Sequence, residues 1–176
     1  MSQSGFVLRI APSGQDKVQE ALASGELIIG WADAAGLLDP ALTWEQFREI
    51  VRKAYYADQG NLRAAGAAAG NLWRFIREME PGDLVVVPHW SGFFVGEVSG
   101  PATYDATKVP EDSAYRRPVR WLNGAKPIPR QLAKSALLSR MKIQGASAAA
   151  TDLLGEIKEC LSLVERGETP TFQTDL

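Results

Sequence analysis

A chain of 176 residues, 45% of them hydrophobic, can bury one sizeable core and shows no second composition regime, so one domain is expected. Its one cysteine, Cys160, excludes an internal disulfide, no apolar run approaches the roughly 18 residues of a membrane span, and the start MSQSGFVLRIAPSG lacks the features of an export signal. These features predict a soluble, cytoplasmic protein with no membrane partner, and a net charge of −2 argues against a uniformly basic nucleic-acid binder.

In chain order, FVLRI (6–10) reads as a strand, 13–23 as a short helix after a Pro-Ser start, and ELIIGW (26–31) as a second, largely buried strand. Thr43 is placed to cap a helix through Tyr56, with Trp44, Phe47, Ile50, Val51 and Ala54 at helical spacing. A third helix is expected over 61–80, striped by Leu72, Trp73, Ile76 and Met79 and ended by Pro81-Gly82. Strands follow at 83–87, 93–98 and 117–122, the last with Val119 and Trp121 on one face and Arg120 on the other. Basic coil and a short helix lead to a C-terminal amphipathic segment, 146–166, whose helix from about 148 carries Leu153, Leu154, Ile157, Leu161 and Val164 on one side. Residues 167–176 read as a tail or linker, and no internal repeat is visible.

The average charge hides an asymmetry. Between Tyr115 and Lys142 lie eight basic residues, Arg116, Arg117, Arg120, Lys126, Arg130, Lys134, Arg140 and Lys142, with no Asp or Glu among them. Such a block is either a solvated face or a seat for an anionic partner, and it nominates these residues as contacts to a nucleic-acid backbone.

Enzymatic classes fare poorly. With His89 as the only histidine, the chain cannot by itself supply a His-Cys-Cys zinc set, an HNH nuclease or a two-histidine metal site. It has no G-x-S-x-G elbow, no P-loop and no G-x-G-x-x-G after a strand. Asp152 with Glu156-Ile157-Lys158 imitates a metal-dependent nuclease, but helical periodicity puts both carboxylates one turn apart on a surface. No catalytic residue, no metal and no cofactor are expected.

Aromatic residues remain. Trp44 and Trp73 fall on helix stripes and Trp121 on a core strand face, whereas Trp31 closes a buried strand and Trp90 sits in a His-Trp-Ser-Gly loop too short to bury it. Each of those two either covers the end of a barrel or stacks on a base. Together with a basic block they favour a slot in which a flat base lies between rings.

The succession FVLRI, ELIIGW, NLWRFIREMEPGDLVVVP, FFVGEVSGPATYD and RRPVRWL, followed by a basic IPR segment, resembles the N-terminal domains found ahead of Mrr-type endonuclease domains in modification-dependent restriction proteins. Those domains belong to the PUA-like superfamily with EVE and YTH domains, and the resemblance spans 5–142. It implies an α+β fold, a small curved β-barrel flanked by helices, with residues 1–145 as the nucleic-acid-binding domain. In YTH domains a strand ending Gly-x-Trp supplies a wall of the cage around a methylated adenine, which nominates Trp31. EVE domains have a Gly-Asp-x-Val strand before a His-Ser loop, which places His89, Trp90 and Ser91 on the rim. Where YTH domains carry their other cage aromatics this chain offers Tyr104 and Tyr115. The implied partner is DNA carrying a modified base, with an endonuclease domain or subunit downstream. Asp33 either supplies a hydrogen bond to the base edge, with His89 or Ser91, or caps a helix before AAGLL. The mechanism expected is base extrusion into the pocket. An RNA-binding module of the same fold, or a non-catalytic structural adaptor, are the alternatives.

Overall fold

The computed structural model describes residues 2–58 and 62–167. Eight strands form one curled, half-barrel sheet flanked by helices: β1 (Gly5–Leu8), β2 (Glu26–Ile29), β3 (Leu84–His89), β4 (Gly92–Val98), β5 (Thr103–Tyr104), β6 (Tyr115–Trp121), β7 (Ile128–Pro129) and β8 (Ser147–Ala149). The order is β2-β6-β4-β3-β1-β8, with β5 beside β6 and β7 beside β4; β1 and β3 run parallel and the remaining pairs antiparallel.

Period-two patterning covers both faces. Phe6, Leu8, Val85, Val87 and Phe94 enter a core shared with α1 (Val18–Ser24), α2 (Trp44–Tyr55) and α3 (Leu62–Trp73). Val7, Leu84, Val86, Phe93 and Val95 enter a second core under α4 (Ser135–Arg140) and α5 (Leu154–Glu165), where Cys160 is buried. Because β4 pairs with β3, β6 and β7 in turn, the sheet curls around it. Gly96 permits this: a Cβ there would run into Val119 Cγ2.

Several expected elements are corrected. The helix expected from Ser13 begins only at Val18, because Ser13 (φ 54°) and Gly14 (φ 76°) are left-handed and form a separate turn. No helix follows Asp33; residues 32–38 make turns, so it caps nothing. The third helix changes to a π-helical turn at Arg74–Glu78. The segment expected to start the last helix pairs instead with β1, with Phe6 opposite Ala149, and α5 starts six residues later than the expected 148. Residue 61 and the tail 168–176 lie outside the described residues. None of the described helices is long and apolar enough to cross a membrane.

Candidate functional site

Trp31 leaves β2 with φ 65°, a conformation that turns the chain sharply after the buried strand. It lines a pocket of about 290 Å³ with Arg9, Pro12, Ser13, Gly30, Tyr55 and Asp112 among its neighbours. Six non-glycine residues have positive φ among those described, and Ser13, Trp31 and Asp112 (φ 55°) all line this pocket. Each such residue stores roughly 1–3 kcal/mol that the surroundings must hold in place. The restraint is visible. Asp112 accepts hydrogen bonds from Ser13 Oγ (2.7 Å) and the Ala32 amide (2.8 Å), joining three loops at one carboxylate. Gly30 makes room for that junction, since a Cβ would meet Asp112 Oδ2 at 3.0 Å and Pro12 Cβ at 3.3 Å.

Tyr55, the last residue of α2, contributes a second aromatic side chain. Its hydroxyl accepts from the Asp33 amide (2.8 Å), and burial pushes the phenol up to about 12, so at neutral pH its proton stays available to donate. No acceptor takes that proton among the described residues. The pocket therefore offers Tyr55 as a donor and Asp112 as a carboxylate acceptor, with the Trp31 and Tyr55 side chains in its lining. Asp33 itself is exposed, and no described hydrogen bond or ion pair involves its carboxylate.

Trp90 lies elsewhere. It is 82% exposed at the two-residue tip between β3 and β4, with φ 55°. Its ring stacks on His89 at 4.6 Å and 16°. His89 Nε2 lies 2.8 Å from Asp16 Oδ2, a contact that holds the Asp16 carboxyl below its usual range, and Arg130 Nε donates to the Trp90 carbonyl at 3.0 Å. Arg9, Asp16, His89, Trp90, Arg130 and Lys142 line a cleft of about 530 Å³ that shares Arg9 and Ala11 with the Trp31 pocket. Trp31 and Trp90 thus line neighbouring concavities rather than one slot between two rings. Trp90 and the exposed Ser91 also line a separate cleft of about 480 Å³.

The two tyrosines expected to complete a cage stand behind it. Tyr115 is fully buried, and its hydroxyl donates to the Ala34 carbonyl and accepts from the Leu37 amide; Tyr104 packs edge-on against it at 4.8 Å and donates to the Ala32 carbonyl. Both brace the turn that follows Trp31, and neither lines the pocket.

The basic block is dispersed by folding. Arg116, 4% exposed, pairs with Glu20 and Glu26; Arg117, also 4% exposed, donates to the Phe75 and Ile76 carbonyls at the π-helical turn. Their assignment to the nucleic-acid backbone is corrected: their guanidiniums are enclosed. Arg120 pairs with Glu97, Lys134 with Glu159, and Arg140 in bidentate fashion with Asp152. Among the described residues no ion pair engages Lys126, Arg130 or Lys142, and the last two meet Arg9 at the Trp90 cleft. Asp152 and Glu156 form no joint site, and no group of three or more His, Cys, Asp or Glu fit for a metal occurs among the described residues.

Sequence reasoning missed Arg9, Ser13, Tyr55 and Asp112. The pair Tyr55-Tyr56 at the end of a helical stripe was a usable signal; nothing local marked Asp112, whose role depends on loops 80 and 99 residues away.

The sequence model of a family described as a domain of unknown function, DUF8426, matches residues 8–143. That span includes every residue of the Trp90 cleft and all of the Trp31 pocket except Ala146. No curated protein matches the chain.

Proposed function

The chain belongs to the DUF8426 family, and we propose that this member is a DNA-binding reader of PUA-like fold that takes an extruded, modified base into the Trp31 pocket. The observation that carries this reading is the concentration of left-handed residues, Ser13, Trp31 and Asp112, around one small pocket with Trp31 and Tyr55 in its lining. Strain held at such a place by a closed set of hydrogen bonds is the mark of a preorganised site. The volume of about 290 Å³ is at the lower end of ligand pockets and suits a single flat ring system.

Extruding a base costs a few kcal/mol, and stacking contributes roughly 1–3 kcal/mol per ring. Asp112 accepts from an exocyclic amine through the lone pairs its two bonds leave unused, and Tyr55 donates to a ring nitrogen or carbonyl. An added methyl group contributes about 1–3 kcal/mol of discrimination, so the reader prefers modified DNA without rejecting unmodified DNA outright. Coupled to an endonuclease domain or subunit, it would serve as the sensor of a modification-dependent restriction system.

The test is a binding panel of matched DNA and RNA oligonucleotides carrying no modification, N6-methyladenine, 5-methylcytosine or 5-hydroxymethylcytosine. Wild type should prefer one modified DNA, and Trp31→Ala should lose that preference while keeping its melting temperature. A core tryptophan behaves otherwise, since truncation costs about 3–5 kcal/mol of stability. An intact preference in Trp31→Ala, a large melting shift, or no binding by wild type overturns the reading, and preference for RNA replaces DNA as the partner.

A further inference from the structure

Trp90 is a large apolar side chain left in solvent on a left-handed residue, and three neighbours fix its place. His89 covers one ring face, Asp16 anchors His89, and Arg130 takes the Trp90 carbonyl. A solvent-facing aromatic immobilised in this way has already lost the freedom that binding would otherwise remove. Resting on the base-extrusion reading, we propose that Trp90 is a second nucleotide subsite: its open face stacks on the base adjoining the extruded one, with the intervening backbone along Arg9, Arg130 and Lys142.

Charge and continuity select this occupant. Arg9, Arg130 and Lys142 line the cleft beside the ring, and its one carboxylate, Asp16, already accepts from the Val18 amide and meets His89. Arg9 belongs to both the Trp90 cleft and the Trp31 pocket, and its Nη1 is held by the Ile143 and Gln144 carbonyls (3.2 and 3.3 Å). Its Nη2 and Nε have no partner among the described residues, so the guanidinium stands on the ridge between the two sites with donors to spare. A strand that places one base beside Trp31 and its neighbour on Trp90 passes its linking phosphate over that ridge. Stacking of this kind is tolerant of base identity, because every base has a π-face.

The experiment uses the full chain and DNA duplexes bearing one N6-methyladenine or one 5-methylcytosine, with an abasic residue placed on either side of it in turn. In wild type, an abasic residue on one side should weaken binding about tenfold, the loss expected for one stacked base. In Trp90→Ala that penalty should fall below about twofold, Trp90→Phe should keep most of it, and Trp31→Ala should leave it intact. An abasic penalty undiminished in Trp90→Ala, or absent on both sides in wild type, overturns the second subsite. If Trp31→Ala keeps the preference for modified DNA while the abasic penalty still depends on Trp90, the pocket reading falls and the Trp90 platform stands. Failure of wild type to bind any duplex removes both.

Discussion

Arg116, Arg117 and Arg120 are near neighbours in sequence, yet the sheet sends them to different surroundings. Arg117 shares the core-facing side of β6 with Val119, and burial lowers its pKa while its Nη1 donates to two carbonyls of the π-helical turn. Hydrogen bonds from a charged donor contribute about 1.5–3 kcal/mol. Arg117→Ala should therefore lower stability by at least that amount, with the loss seen as a reduced urea midpoint. Arg120, its side chain 67% exposed and paired with Glu97, belongs to the class of surface ion pairs that contribute about 0–1 kcal/mol. Arg120→Ala should shift the same midpoint little. Equal shifts in the two variants would contradict the interior placement of Arg117. The Asp112 carboxylate makes the parallel point for the pocket: its meaning comes from what three loops bring to it, not from its sequence neighbours.

At the scale of elements, α2 is the best specified. Thr43 Oγ1 accepts from the Gln46 amide (3.2 Å) and Gln46 Oε1 accepts from the Thr43 amide (2.9 Å), a reciprocal cap that fixes where the helix begins. Trp44 and Phe47 then pack with Trp73 of α3, and the helix ends by delivering Tyr55 to the pocket. Thr43→Ala should lower stability by about 1 kcal/mol and leave the discrimination between modified and unmodified DNA unchanged, because the cap lies at the end of α2 remote from Tyr55. Thermal melting and the two affinities on one preparation check both halves. A changed discrimination would mean that Tyr55 is positioned by the whole helix rather than by its last turn.

For the whole molecule, folding draws four of the eight basic residues, Arg116, Arg120, Lys134 and Arg140, into ion pairs and buries Arg117, which sets a number. If all eight basic residues of 115–142 contacted phosphates, the logarithm of affinity would fall with the logarithm of salt at a slope of about −7. With Arg9, Arg130 and Lys142 of the Trp90 cleft and Lys126, the other member of the block that no described ion pair engages, as the phosphate contacts, the slope should be about −3 to −4 for duplex DNA. Titration of binding between low and physiological salt measures it. A slope near −7 would return the paired arginines to the interface.

Much of the architecture was legible in the residues themselves. The short apolar runs in LVVVP and FFVGEV, the stripe of α2 and the Pro81-Gly82 stop predicted β3, β4, α2 and the end of the third helix, because apolar patterning and punctuation are local properties. The curled α+β sheet with flanking helices was implied by the family resemblance rather than by period, and Trp31 and Trp90 stood out because one ends a buried strand and the other sits in a loop too short to bury it. What the sequence could not specify were features made by partners distant along the chain. Strand β8 exists because β1 offers an edge to an Ala-rich run with no period of its own, and β5 and β7 are two-residue pairings that only neighbouring strands define. Burial of Tyr115, Arg116 and Arg117 was decided by the side of β6 they occupy and by carbonyls and carboxylates brought from residues 20–37 and 75–76. The Trp31 pocket, likewise, depends on Ser13, Gly30, Tyr55 and Asp112 converging from four segments. A sequence states each residue's chemistry and local period, while the tertiary fold decides which charges are neutralised and which strained loops share a wall.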